Sequence, residues 1–174
     1  MKCIYNLVFI TIFFLNFNLL KANELISYVD MDLLMNSSEA GKSIASQLTA
    51  IHKKTTAELK KIEDELKKKE ESIIAQKNIL SKEDYTKKIK ILRDNTNSYR
   101  KNRQEKINLL TKKRMESSSK LLSIINPILS DYSKVNNISI ILQKKNVVLA
   151  KTDLNITNKI IDILNSKIES INLN

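Results

Sequence analysis

Few side chains in this sequence are suited to covalent or metal chemistry. His52 is the only histidine and Cys3 the only cysteine in 174 residues. A zinc site or a thiol–imidazole pair therefore cannot be assembled, and His52 reads as a surface or helix-seam residue. Asp30 and Asp32 stand two apart, a spacing that could serve acid–base chemistry. At the end of a strand they read better as structural acids, with Asp32 capping a short helix over Leu33 to Asn36 and Asp30 forming a turn. Gly41-Lys42-Ser43 has the ending of a phosphate-binding loop, but the glycine such a loop needs five residues earlier is Asn36. The Asn-x-Ser/Thr triplets at Asn36, Asn137 and Asn155 carry little weight in an Asn-rich chain. What remains is cationic: Arg100-Lys101-Arg103 and Lys112-Lys113-Arg114 are the densest basic clusters, and their chemistry is electrostatic attraction and hydrogen-bond donation. No catalysis, cofactor or metal is expected.

The elements that must carry these cations are helical. The chain holds 30 Lys+Arg against 19 Asp+Glu, a net charge of +11, with one Gly, one Pro and no Trp. One glycine cannot turn the corners of a β-sandwich or cradle a dinucleotide, so both classes are excluded. Residues 53–116 contain 20 basic and 11 acidic residues, while the rest of the chain after residue 22 contains eight of each. The excess positive charge thus lies in one Gly- and Pro-free stretch of long-helix composition. Ile44, Leu48, Ile51, Leu59, Ile62, Leu66, Ile73 and Leu80 recur at three- and four-residue steps, with a slip near Thr55, as a narrow coiled-coil seam. Ser81, followed three residues later by Asp84, caps a second helix and marks a reversal. The return seam runs through Tyr85, Ile89, Leu92, Tyr99, Ile107 and Leu110, and is thinned by Thr96 and Arg103. The product is an antiparallel hairpin with legs on the order of 50 to 60 Å long at 1.5 Å per residue. Burial along so thin a seam cannot stabilise it alone. The return leg, 85–116, has 11 basic residues and three acidic ones, so one face of the hairpin should be distinctly positive.

The base of this arm is expected at the two ends of the sequence. Leu25 to Val29 reads as a strand, and Ile138 to Leu142 and Val147 to Ala150 read as a second and third strand joined as a hairpin by Gln143 to Asn146. A wide apolar stripe over Leu121 to Leu129, with a kink at Pro127, and a last helix opened by Thr157 complete a small core. Sheet edges and apolar faces would stay open, and self-association is the simplest cover for them. The predicted fold is mostly α with a small β body, from which the arm projects. The body comprises 23–52 and 117–174, and the arm 53–116. Residues 1–22 have the charged start, apolar run and small residue at Ala22 of a cleaved secretory signal peptide. With Cys3 removed, the exported chain has no thiol.

Tyr28-Val29-Asp30-Met31-Asp32, Asn36 to Lys42, the tip Leu80 to Asp84, and the pair Ile140-Ile141-Leu142 and Val147 to Lys151 followed by Asp153 to Thr157 together resemble the Skp/OmpH family of periplasmic chaperones, in order and over nearly all of the exported chain. Asn136-Asn137 departs from the family, which often has a glycine-containing turn before the strand. The resemblance implies a homotrimer whose strands build a central body, with three arms enclosing a cavity for unfolded outer-membrane proteins. It also implies an ATP-independent holdase located in the periplasm. The client-binding residues expected on the basic leg are Lys87, Lys88, Arg93, Arg100, Lys101, Arg103, Lys112, Lys113 and Arg114. The association body is expected to use Ile26, Tyr28, Ile140, Leu142, Val148 and Ala150. Contact with anionic lipid or lipopolysaccharide is a further expectation. A structural or lipid-binding envelope coiled coil is the alternative. Nucleic acid is not expected as a partner, because a signal peptide and the absence of an aromatic stacking set argue against it.

Overall fold

The structure is a computed structural model that describes residues 25–173. The signal peptide inferred for residues 1–22 lies outside them. Strand β1 (Leu25–Val29) leads into a short helix α1 (Met31–Ser37), followed by α2 (Glu39–Ala75) and α3 (Lys82–Val135). Strand β2 (Ile138–Gln143) and helix α4 (Thr157–Lys167) follow, with single 3-10 turns at Lys144–Asn146 and Thr152–Leu154 between them. The chain is mostly helical, and α2 and α3 form the long hairpin.

Each long helix starts where its cap dictates. Ser38 Oγ accepts from the Gly41 amide, and Ser81 Oγ accepts from the Asp84 amide at 3.1 Å. The short helix differs from expectation: Asp30 is its N-cap, accepting from the Leu33 amide at 3.0 Å, while Asp32 lies in the first turn. Asp30 is fixed there because its own amide donates to Thr157 Oγ1 at 2.8 Å, pinning α1 to the start of α4. Helix α3 continues through Pro127, the one proline. Asn137 turns the chain from α3 into β2 with φ of 52°, a left-handed conformation that Asn tolerates better than most residues.

β1 and β2 form a parallel two-stranded sheet, with Ile26 opposite Ile140 and Tyr28 opposite Leu142. Its inner face, with Ser27 and Val29 buried, packs on a core built from Leu34, Ile44, Leu121, Ile125, Ile160 and Leu164. The third strand expected at Val147 to Ala150 does not form among the described residues. Gln143 to Asn146 make no hairpin turn, because Lys144–Asn146 close a 3-10 turn instead, and Val148 and Leu149 are 103% and 92% exposed. β-Branched composition makes a strand only where a partner edge is available. The edge of β1 near Tyr28 is met instead by Asn155, with the Ile156 amide donating to the Tyr28 carbonyl at 3.0 Å. Among the described residues, no helix is long and apolar enough to cross a membrane.

Candidate binding surface of the helical arm

The arm is held by few contacts, and they run in antiparallel sense. Lys88 Nζ donates to Gln76 Oε1 at 2.6 Å near the tip, and Lys106 pairs with Glu58 at 2.8 Å across the middle. Leu59, Ile62, Leu66, Ile89, Leu92 and Leu110 are only half-buried, and Ile73 is the one fully buried apolar residue on α2 beyond Ile44. Ile107, expected in the seam, is 45% exposed; Lys106 takes the inward position and uses its charge on Glu58. Hydrogen bonding and attraction from Lys106 hold the Glu58 carboxyl below the usual range.

Where the seam slips, the helices leave a cleft of about 520 Å3. His52, Thr55, Thr56 and Leu59 line it from α2, and Tyr99, Arg103, Ile107 and Arg114 from α3. A second hollow of about 390 Å3 continues toward Ile44, Leu48 and Leu121 and shares His52 and Arg114 with the first. Two adverse features of the sequence, the slip at Thr55 and the polar Arg103, meet at this gap. His52 is a cleft-wall residue with no metal partner: among the described residues no group of His, Cys, Asp and Glu could hold a metal ion.

The nine basic residues expected on the return leg all lie on α3, but not on one face. Lys87, Lys101 and Lys112 point to the outer side, and each is paired with a glutamate four residues away, Glu83, Glu105 and Glu116. Their charge is largely offset locally. Lys88 is engaged at the tip with Gln76, and Lys113 donates to the Leu173 carbonyl at 2.7 Å at the root. Arg93, Arg100, Arg103 and Arg114 differ. Spacings of seven, three and eleven residues put them on one flank of α3, with Ile107 among them. None of the four is in an ion pair among the described residues. At Arg103 and Arg114 this flank opens into the cleft and presents permanent charge beside the exposed Ile107.

Four of the six expected association residues fall together. The parallel register places Ile26, Tyr28, Ile140 and Leu142 side by side on the outer face of the sheet. Ile26, Ile140 and Leu142 are 40–45% exposed, and nothing among the described residues covers that face. Val148 and Ala150 lie apart from it, in the exposed segment after β2. Sequence reasoning missed the cleft and the root contacts of Gln47; the seam slip was the only signal for the first, and the second had none.

The profile of the family described as outer membrane protein (OmpH-like) matches residues 26–164. The fold is similar to that of an OmpH-like protein from Caulobacter crescentus CB15 that is described as a candidate outer membrane chaperone. The two share 18% identity with a TM-score of 0.80, over 85% of this chain and 88% of that one. A search of curated proteins returns no match. The family match spans nearly all of β1, the whole helical hairpin, β2 and most of α4, and on it the chain belongs to the OmpH-like outer membrane proteins.

Proposed function

We propose that this protein is an ATP-independent holdase of the periplasm, exported by residues 1–22, that binds unfolded outer-membrane proteins and passes them to the outer-membrane assembly machinery. The observation that carries the reading is the flank of α3 that carries four arginines, of which Arg103 and Arg114 line the open cleft with the exposed Ile107. A holdase must hold many unfolded sequences weakly and release them without fuel. Many modest contacts serve that purpose better than one deep pocket. Guanidinium groups supply attraction without a fixed partner, and their stems supply apolar area. The family match and the similar Caulobacter fold support the same reading. Residues 53–116 act as the client-holding arm and 23–52 with 117–174 as the association body.

The association is a homotrimer built on the outer sheet face of Ile26, Tyr28, Ile140 and Leu142, with Val148 to Ala150 finding their strand partner on a neighbouring copy. Four apolar side chains on one small sheet face make such a cover favourable. Light scattering coupled to size exclusion should give three times the exported chain's mass, and a monodisperse monomer would refute the trimer. The function is tested by diluting a urea-unfolded outer-membrane barrel into buffer with the protein. Near-stoichiometric suppression of aggregation is expected. A structural or lipid-binding spacer would leave the scattering unchanged.

A further inference from the structure

The last described residues leave α4 as a strap with a bend at Glu169. Ile168 adopts φ −153° and ψ 126°, and the chain then runs into the crotch between α2 and α3. There Gln47 of α2 reads it as one strand reads another: Nε2 donates to the Ile171 carbonyl at 2.7 Å and Oε1 accepts from the Leu173 amide at 3.1 Å. Lys113 of α3 donates to the Leu173 carbonyl. The polar contacts made by Gln47 and Lys113 to the strap are all to its backbone. The side chains alternate, with Ile171 2% exposed, Asn172 exposed and Leu173 half-buried. Beside Leu173 lies a surface hollow of about 170 Å3, lined by Lys113, Glu116, Ser117 and Lys120 of α3. The family match ends at residue 164, before this strap begins.

We propose that Gln47, Lys113 and the apolar crotch between them form a groove for one extended polypeptide segment with apolar residues two apart, and that the C-terminal strap is its resident occupant, displaced when client is captured. The inference rests on the holdase reading for the identity of the client. Recognition through backbone amides and carbonyls is indifferent to sequence, as it must be for a binder of many unfolded chains. Alternation of buried and exposed side chains is what a segment destined for a β-strand offers. The same contacts tie α2 to α3 at the root of the arm, so displacement also frees the two legs to part. The strap is tethered, which gives it a high effective concentration, and a client must bring contacts elsewhere on the arm to replace it.

A nitroxide on Asn172→Cys in the full chain, with Cys3→Ser, reports the strap. Its spectrum should be immobilised in the protein alone and become mobile with saturating unfolded barrel protein. In a second full-length variant, Ile171→Ser with Leu173→Ser, the groove should stand open. A fluorescent peptide of residues 168–174 should then bind at least about tenfold more tightly than to the parent, as the tethered competitor is gone. Adding Gln47→Leu should weaken that peptide about tenfold. A label that stays immobile at saturating client and saturating peptide, or a peptide affinity unmoved by Gln47→Leu, would show the strap to be a fixed part of the core. Aggregation suppression separates the two readings. If it persists with an immobile strap, the groove falls and the holdase stands. If it is absent while peptide still displaces the strap, the holdase falls and the groove stands.

Discussion

Replacing the one glycine, Gly41→Ala, tests the junction that aims the arm. A Cβ at position 41 would lie 1.8 Å from the Met35 carbonyl oxygen and 2.8 Å from its carbon, where contacts under 3.0 Å essentially never occur. The last turn of α1 must therefore retreat by more than 1 Å, and Leu34, fully buried one residue earlier, moves with it. Helix propensity opposes this, because Ala at an ordinary helical site is favoured over Gly by about 1 kcal/mol. Forcing extra volume into a packed contact costs about 1–3 kcal/mol, and the upper part of that range applies because the obstructing atom is backbone and cannot swing aside. The net loss should be about 2 kcal/mol, which at roughly 2–4 °C per kcal/mol lowers Tm by about 4–8 °C. Thermal melting followed by circular dichroism measures it. Met35→Ala should not rescue the variant, since the side chain is not what collides. An unchanged or raised Tm, or rescue by Met35→Ala, would refute the close approach.

Three further expectations concern charge and caps. Reversing Arg93, Arg100 and Arg103 to Glu should slow client capture in stopped flow and remove most of its salt dependence, whereas reversing Lys87, Lys101 and Lys112, the same change in net charge, should slow it less. Equal slowing would mean that only the overall field matters. The Asp30 carboxyl is held below its ordinary value of 3.8, chiefly by the Leu33 amide and then by Lys144, and Lys144 is raised above 10.5 by Asp30. Stability from this pair is thus fully present between about pH 4 and 10 and is lost as pH falls through the lowered Asp30 value or rises through the raised Lys144 value. The gap in urea midpoint between the parent and Asp30→Asn, which keeps a capping side chain, should close below pH 4, and a gap constant down to pH 2.5 would refute the linkage. Ser81→Ala should cost about 1 kcal/mol at the tip alone, speeding amide exchange over 76–86 roughly fivefold with little change in Tm. A Tm loss as large as that of Gly41→Ala would show the tip to be part of the cooperative core.

Local patterns in the sequence determined the long helices, their reversal at Ser81, the strands at Leu25 and Ile138, and the last helix at Thr157. Each depends on residues within one or two turns of each other: side-chain period, caps and β-branched runs. The tertiary structure decided what those patterns met. Helix α3 exceeds α2 by 17 residues, so at 1.5 Å per residue the returning chain overshoots the root of the arm by about 25 Å. It enters β2 from the far side, and β2 therefore runs parallel to β1, the whole helical hairpin serving as the crossover. That pairing leaves Val147 to Ala150 without a strand partner among the described residues. The same distant geometry moves the α1 cap from Asp32 to Asp30, through Thr157, and packs Gly41 against the Met35 carbonyl. It also divides one basic leg into glutamate-paired lysines outside and, on another flank, arginines without an ion pair among the described residues, two of which line the cleft. Net charge is additive along a chain and legible from it, but which charges remain available depends on what lies four residues away on a helix and across from it.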